Sequence, residues 1–161
     1  MEMKITILAV GKIKERFYRE AVEEFVKRLG RYCKLEIIEV ADEKTPDGAS
    51  EMEERQILEK EGIRLTKHLR DDAWVCALAI NGKRLDSVSF SNKIEQLGIL
   101  GVSHIQFVIG GSLGLSESVL ERADYKLSFS DMTFPHQLMR VILLEQIYRG
   151  YRIMMKEPYH K

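Results

Sequence analysis

Hydrophobic residues follow two alternating patterns along the chain. Short runs rich in β-branched residues predict buried strands, whereas apolar residues at three- and four-residue spacing predict amphipathic helices. The predicted strands are 4–10, 35–40, 74–80, 104–109 and 125–129. The predicted helices are 16–29, 50–68, 92–100, 116–123 and a long one that begins at residue 135. This alternation indicates an α/β fold, with a mostly parallel sheet covered by helices on both faces.

Polar residues mark where some of these helices begin. Ser50 and Glu53 have the spacing of a capping box. Pro135 suits the first position of the last helix, and Thr133 is a candidate cap just before it.

The apolar residues of this last helix cover more than half of its circumference, which is wider than one sheet face usually covers. We therefore expect a second apolar partner, most economically another copy of the chain.

Length and composition predict one globular domain spanning residues 1–161. There is no internal repeat or linker, and 11 Gly and 3 Pro are too few for a disordered or collagen-like chain. The longest apolar run, 73–80, is too short to span a bilayer, and the first residues do not resemble a signal peptide. We therefore expect a cytoplasmic protein with no membrane segment. Cys33 and Cys76 are expected to be reduced and buried, and no metal site is predicted.

The charges cancel over the whole chain but are unevenly distributed. Lys and Arg total 25, as do Asp and Glu, which argues against a simple nucleic-acid coating protein. Nine bases and four acids lie within 4–34, and six bases and three acids within 126–161. In contrast, 39–61 holds three bases and nine acids, a composition typical of a solvated helical face.

Glycines follow two of the predicted strands. Segment 107–115 places three glycines within five residues, and Asn81-Gly82 follows the third strand. The first segment is neither the dinucleotide fingerprint nor a phosphate-binding P-loop, and a plain tight turn is an equal alternative. Because parallel strands end at one edge of a sheet, both turns together suggest a shared ligand cleft.

Two regions near the C-terminus contain further candidates. Segment 127–136 is too polar for a core strand and too apolar for an ordinary loop, so it either wraps a ligand or joins a strand to a capped helix. Arg140 falls inside the apolar arc of the last helix, where it must reach a carboxylate, a ligand or a partner chain. The end of the chain, 157–161, is either disordered or supplies proton-handling and RNA-contacting groups.

Six short motifs, read in order, resemble one known family. They are Lys4-Ile-Thr-Ile-Leu-Ala-Val-Gly-Lys12, Leu78-Ala-Ile-Asn-Gly-Lys83, Phe107-Val-Ile-Gly-Gly-Ser112, Leu127-Ser-Phe-Ser130, Met132-Thr-Phe-Pro-His-Gln137 and Pro158-Tyr-His-Lys161. Together they resemble the bacterial large-subunit rRNA pseudouridine N3-methyltransferases of the SPOUT superfamily. Each motif is weak alone, but the resemblance runs from about residue 3 to residue 161.

The resemblance implies a C-terminal trefoil knot, S-adenosylmethionine as cofactor, and a homodimer that modifies 23S rRNA in the assembled 70S ribosome. The residues that it places around the cofactor are Leu78, Gly110, Phe129, Ser130, Asp131, Met132, Thr133 and Phe134. The residues that it places in catalysis or RNA contact are His136, Arg140, Tyr159, His160 and Lys161.

The resemblance also suggests a division of roles. We hypothesise that His160, reaching across the dimer, accepts or relays the N3 proton while Arg140 and Lys161 hold the nucleotide. Two alternatives remain at this stage. One is a flavodoxin-like nucleotide or flavin binder, and the other is a ribosome-associated assembly protein without catalysis.

Overall fold

Five parallel strands form one sheet in the structure, a computed structural model that describes residues 2–161. The strands are β1 (Lys4–Val10), β2 (Lys34–Val40), β3 (Trp74–Arg84), β4 (His104–Ile109) and β5 (Tyr125–Ser128). Their order across the sheet is β2-β1-β4-β3-β5, and every neighbouring pair is parallel. The predicted α/β class with a parallel sheet is confirmed.

Five helices connect or follow these strands. They are α1 (Arg16–Leu29), α2 (Glu51–Thr66), α3 (Ser87–Ile99), α4 (Glu117–Arg122) and α5 (His136–Met154). The capping box predicted at Ser50 and Glu53 is present. In contrast, α3 begins five residues before the predicted start. The Asp86 carboxylate accepts the backbone N–H of Ser89 at 2.7 Å and so caps the helix there.

The helices cover both faces of the sheet. On one face, α1, α3 and α5 pack on alternate residues of the central strands, including Ile5, Ile7 and Phe107. On the other face, α2 and α4 cover Leu8, Val108 and their neighbours. The nearly complete burial of β1 and β4 explains why their sequences are continuously apolar. Cys33 and Cys76 are free and buried, as predicted.

Most of the wide apolar arc of α5 is covered within the chain itself, whereas Met155 at its C-terminal end is 62% exposed. This helix packs on the sheet and also against α1 and α3, which bury Leu143, Leu144 and Ile147 completely. The arc therefore gives no support for a second copy of the chain. The expectations for the start of α5 also change: Pro135 is the N-cap residue, and no side chain, Thr133 included, caps the helix.

No helix within residues 2–161 is long and apolar enough to cross a membrane. Among the same residues, no group of three or more His, Cys, Asp or Glu side chains is arranged to hold a metal ion.

Candidate functional site

A cavity of about 400 Å³ opens at the carboxyl edge of the sheet. It is bounded by the interrupted part of β3, by the ends of β4 and β5 with the segments that follow them, and by the first turn of α5. The residues around it are Leu78–Asn81, Ile109–Leu115, Leu120, Leu127–Ser130, Met132–Phe134, His136 and Met139. Both glycine turns singled out in the sequence therefore meet at one cleft. This is the position at which open α/β sheets bind their ligands.

The wall from β3 is formed by an interruption in its pairing with β5. Leu78 and Lys83 both pair with Leu127, so the four residues between them leave the ladder. A Cβ atom added to Gly82 would lie 2.7 Å from the backbone of Lys126, so this close approach requires glycine. The strand therefore continues to Arg84, beyond the end that the sequence predicts.

The wall from β4 is a tight glycine turn. The N–H of Gly114 donates to the carbonyl of Gly111 at 3.1 Å, and Gly114 has a φ of +88°. A Cβ atom added to Gly110 would lie only 2.3 Å from the carbonyl oxygen of Gly114. Only glycine at position 110 allows the turn to close, and the turn presents backbone groups and small side chains to the cavity.

The wall from β5 is an irregular segment held by serine hydroxyls. The Ser128 hydroxyl donates to the carbonyl of Ser130 at 3.1 Å, and the Ser130 hydroxyl accepts the N–H of Met132 at 2.9 Å. These local bonds stabilise a backbone that is neither strand nor helix. Segment 127–136 therefore wraps the cavity as well as joining a strand to a helix.

Seven of the eight residues predicted around the cofactor line this cavity: Leu78, Gly110, Phe129, Ser130, Met132, Thr133 and Phe134. The eighth, Asp131, does not line it. Its carboxylate is exposed and forms an ion pair with Arg84, at the end of β3. The Asp131 side chain therefore joins the β3 and β5 walls from outside the cavity.

His136 lies where the first turn of α5 meets the cavity. Its ring is partly buried beside Gly11, and a Cβ atom added to that glycine would lie 3.6 Å from Nε2 of His136. Burial lowers the pKa of His136, and the positive charges of Arg140 and Lys14 lower it further, whereas Asp42 opposes them. The imidazole is therefore neutral at pH 7 and can accept a proton.

The lowered pKa of His136 predicts a loss of stability in mild acid. In the unfolded chain the ring titrates near its ordinary value of 6.5, so below that pH the unfolded chain binds more protons than the folded one. The free energy of unfolding should therefore fall as pH drops below 6.5, and His136→Asn should reduce this slope. Denaturant unfolding at pH 5.5 and 7.5 measures it, with the exposed His68→Asn as control. An unchanged slope in His136→Asn would contradict the prediction.

The side chain of Arg140 pairs with a carboxylate. The sequence predicts that it reaches a carboxylate, a ligand or a partner chain. The Arg140 side chain is 1% exposed and forms an ion pair with Glu39 at the end of β2. Its Nη2 also donates to the carbonyl of Gly11 at 3.2 Å, whereas its buried Nε has no hydrogen-bond partner in the described part of the chain. The guanidinium thus ties α5 to the ends of β1 and β2 beneath His136. It does not line the cavity.

The burial of this pair predicts unequal effects of removing each partner. Glu39→Gln leaves a buried cation without its counter-charge and should cost about 3 kcal/mol of unfolding free energy. Arg140→Met should cost less, because the Glu39 side chain is already 35% exposed and regains water. The double variant should cost less than the sum of the two single variants. Denaturant unfolding of all four proteins measures this coupling, and strictly additive costs would contradict it.

The three tail residues lie on the outer side of α5, away from the cavity. The Tyr159 hydroxyl donates to Glu145 at 2.7 Å, and the Arg149 guanidinium lies over the Tyr159 ring. Arg149 also donates to Nδ1 of His160 at 3.1 Å, and Lys161 is exposed. Glu145 is nine residues beyond His136, or about 13 Å along the helix axis. The tail is therefore ordered on α5, but none of its three residues lines the cavity of its own chain.

One buried carboxylate near the site was missed in the sequence. Glu61 of α2 is 4% exposed, and its Oε2 accepts the backbone N–H of Glu43 at 2.9 Å. Its Oε1 has no hydrogen-bond partner among residues 2–161. Burial raises its pKa. Its Oε1 lies beneath the glycine turn, 3.4 Å from a Cβ atom added to Gly111. The helical spacing of the sequence indicates this burial, because Glu61 lies four residues from both Ile57 and Leu65, on the buried stripe of α2.

The fold and the cavity define an α/β protein with a candidate ligand site at the carboxyl edge of its parallel sheet. The comparisons agree with this class and refine it. The family described as "Predicted SPOUT methyltransferase" matches residues 3–160. The chain therefore belongs to the SPOUT methyltransferase family.

Curated relatives match the chain over almost its whole length. A protein of Bifidobacterium adolescentis is 66% identical over 99% of this chain and 100% of its own length, and one of Clostridium tetani is 65% identical over the same shares. Both are named "Ribosomal RNA large subunit methyltransferase H". Among solved structures, a probable methylase family protein from Haemophilus influenzae Rd KW20 matches with a TM-score of 0.53 and 12% identity, over 99% of this chain and 70% of that one. That match supports the fold alone.

Proposed function

We propose that this protein uses S-adenosylmethionine to methylate N3 of a pseudouridine in 23S rRNA within the assembled ribosome. The observation that carries the proposal is the cavity, because motifs from β3, β4 and the segment before α5 converge on it. Family membership supports methyl transfer, and the names of the curated relatives support a large-subunit rRNA substrate. The choice of pseudouridine and of N3 rests on the resemblance of the motifs.

The cavity fits S-adenosylmethionine in size and in chemistry. Its volume of about 400 Å³ lies within the range of small-molecule sites, and its walls combine apolar side chains with backbone groups of the glycine turn. Leu78 and Phe129 provide apolar surface suited to a purine ring, whereas segments 110–114 and 130–133 provide backbone donors and acceptors for the polar ends. When bound, this cofactor supplies a methyl group on a positively charged sulfur. The main contribution of the protein is then to orient the nucleotide in line with that group.

The reaction also requires a proton acceptor. Forming the N–CH3 bond releases the N3 proton, and a nearby base lowers the barrier. His160 accepts a hydrogen bond from Arg149 on Nδ1, so this contact occupies a ring nitrogen that could otherwise face the nucleotide. We propose that His160 of the partner subunit leaves this contact and serves the cavity, with Tyr159 and Lys161 contacting the nucleotide. His136 supports the site from within the chain.

A homodimer accounts for the separation between tail and cavity. The tail of the chain lies about 13 Å along α5 from His136, so a second copy is the economical source of a tail at each cavity. Exposed apolar side chains at the cavity rim, Ile80 and Met132, favour coverage by another surface. Arg140 acts as a positioning residue in this scheme, because its guanidinium is bound to Glu39 and Gly11.

We also infer the trefoil knot and the cytoplasmic location that the resemblance implies.

Calorimetric titration tests the cofactor directly. We expect saturable binding of S-adenosylmethionine and of S-adenosylhomocysteine, and no binding of flavin mononucleotide. Binding of the flavin alone would favour the flavodoxin-like alternative. Co-sedimentation with ribosomes without binding of either S-adenosyl compound would favour a non-catalytic assembly protein. Either result would contradict the proposal.

A further inference from the structure

The connection from β1 to α1 and the first turn of α1 concentrate positive charge at the cavity edge of the sheet. This segment, residues 11–19, holds four bases and one acid, although the charges of the whole chain cancel. The four bases are Lys12, Lys14, Arg16 and Arg19. Arg16 is paired with Glu20 at 2.9 Å. Within residues 2–161, Lys12 and Lys14 have no ionic partner, and the Arg19 guanidinium donates to the carbonyl of Ile13, at 3.5 Å. These charges are available to an external anion.

An exposed aromatic ring lies among these bases. The Phe17 side chain is 62% exposed, although it belongs to a helix whose opposite face is buried. Its ring centroid lies 4.4 Å from that of Tyr18. A phenyl ring held in water beside several cations is costly for a free surface but suits a single-stranded RNA. Phosphates of such a strand pair with Lys and Arg while an unpaired base stacks on the ring.

The 11–19 segment is fixed to the helix that bounds the cavity. The backbone N–H groups of Lys14 and Glu15 donate to the side-chain oxygen of Gln137, at 2.9 and 3.4 Å. Gln137 follows His136, which lines the cavity and lies against Gly11. The segment therefore lies beside the cavity mouth, where the first turn of α5 holds it in place.

The loop after β2, which adjoins the 11–19 segment at Gly11, is acidic. It carries Asp42, which lies beside Gly11, and Glu43, which is paired with Arg64 and Lys60. It reaches the glycine turn through Thr45, whose hydroxyl lies 3.4 Å from that of Ser112. This loop is joined to α2, on the other face of the sheet, by the bond from Glu43 to Glu61. A polyanion is therefore attracted more strongly to the 11–19 segment than to the loop after β2.

We propose that the 11–19 segment is the surface on which the RNA strand carrying the target nucleotide lies. Lys12, Lys14 and Arg19 bind its phosphates, and Phe17 stacks on an unpaired base next to the target. The proposal rests on the proposed function, because it takes RNA as the substrate of the adjoining cavity. It extends that function by assigning the docking surface to the segment beside the cavity mouth.

The test compares charge removal on the segment with equal charge removal elsewhere. The variants are Lys12→Ala/Lys14→Ala and Phe17→Ala, and the matched control is Lys34→Ala/Lys67→Ala, at two exposed lysines outside the site. Ribosomes that lack the methyl group are the probe. We expect the KM for ribosomes to rise about tenfold in both segment variants and to stay unchanged in the control. The slope of log affinity against log salt should fall by about 1.4 in the double lysine variant.

Binding of S-adenosylmethionine, the melting temperature and the mass of the particle in solution should be unchanged in all variants. An unchanged KM and salt slope in both segment variants would overturn the proposal. A change in particle mass would also overturn it, because the segment would then contact a second copy of the chain. If the wild-type protein transfers no methyl group, the proposed function fails, but co-sedimentation of the same variants with ribosomes still decides whether this surface binds RNA.

Discussion

Replacing Gly110 with alanine is expected to weaken S-adenosylmethionine binding about 100-fold. The added Cβ atom would lie 2.3 Å from the backbone oxygen of Gly114, and neither atom belongs to a flexible side chain that can move away. The turn must therefore open, which displaces the backbone groups that face the cavity. The fold should survive, because an overpacked site of this size costs about 1–3 kcal/mol.

Gly98→Ala is the matched control for Gly110→Ala. Gly98 lies in α3, where an added Cβ atom meets only the end of the Met3 side chain, at 3.7 Å. The same chemical change should there leave cofactor binding unaltered and slightly increase the melting temperature, because alanine favours a helix. Calorimetric titration of both variants measures the cofactor affinity, and thermal unfolding measures the melting temperature. Equal affinities in the two variants would show that the glycine turn does not form the binding site.

His160→Ala is expected to lower the single-turnover rate of methyl transfer about 100-fold or more, with cofactor affinity unchanged. The imidazole lies away from the cavity of its own chain, so its removal leaves the cavity intact. Removal of residues 159–161 should reduce the rate at least as much. His68→Ala is the matched control, because that side chain is exposed and lies outside the site. Unchanged rates in both tail variants would exclude the tail from catalysis.

Mixing two inactive proteins tests whether the tail acts across a dimer. One chain carries His160→Ala with an intact cavity, and the other carries Gly110→Ala with an intact tail. In a two-fold dimer, equal mixing should restore about a quarter of the wild-type active sites, because half of the dimers are mixed and each has one complete site. No recovery after subunit exchange would mean that the tail serves the cavity of its own chain.

The clearest parts of the fold were predictable from local patterns. The bounds of β1, α1 and β4 agree with the predicted ones, because these segments have an unbroken apolar run or a clear helical stripe. The start of α3 was missed, because Asp86 and the serines after it hide the helical pattern in polar residues. The extension of β3 to Arg84 depends on its pairing with β5, about 40 residues later, and no local pattern shows it.

The candidate site was predictable where it depends on strand ends and not where it depends on side-chain partners. The ends of β4 and β5 meet at the cavity because parallel strands end at one edge of a sheet, so this convergence follows from topology. The sequence also indicated that Arg140 needs a partner, but its pairing with Glu39, 101 residues away, follows from three-dimensional packing. The coverage of α5 by α1 and α3 was missed for the same reason, and it removed the original argument for a second copy.

Mass spectrometry of the methylated nucleoside tests the proposed reaction most directly. Ribosomes that lack the modification are incubated with the protein and S-adenosylmethionine, and the 23S rRNA is digested to nucleosides. Ribosomes that carry uridine in place of the pseudouridine serve as the control substrate. We expect one methyl group per large subunit, recovered as N3-methylpseudouridine. Recovery of the methyl group on a ribose, on another base or on no nucleoside at all would contradict the proposed function.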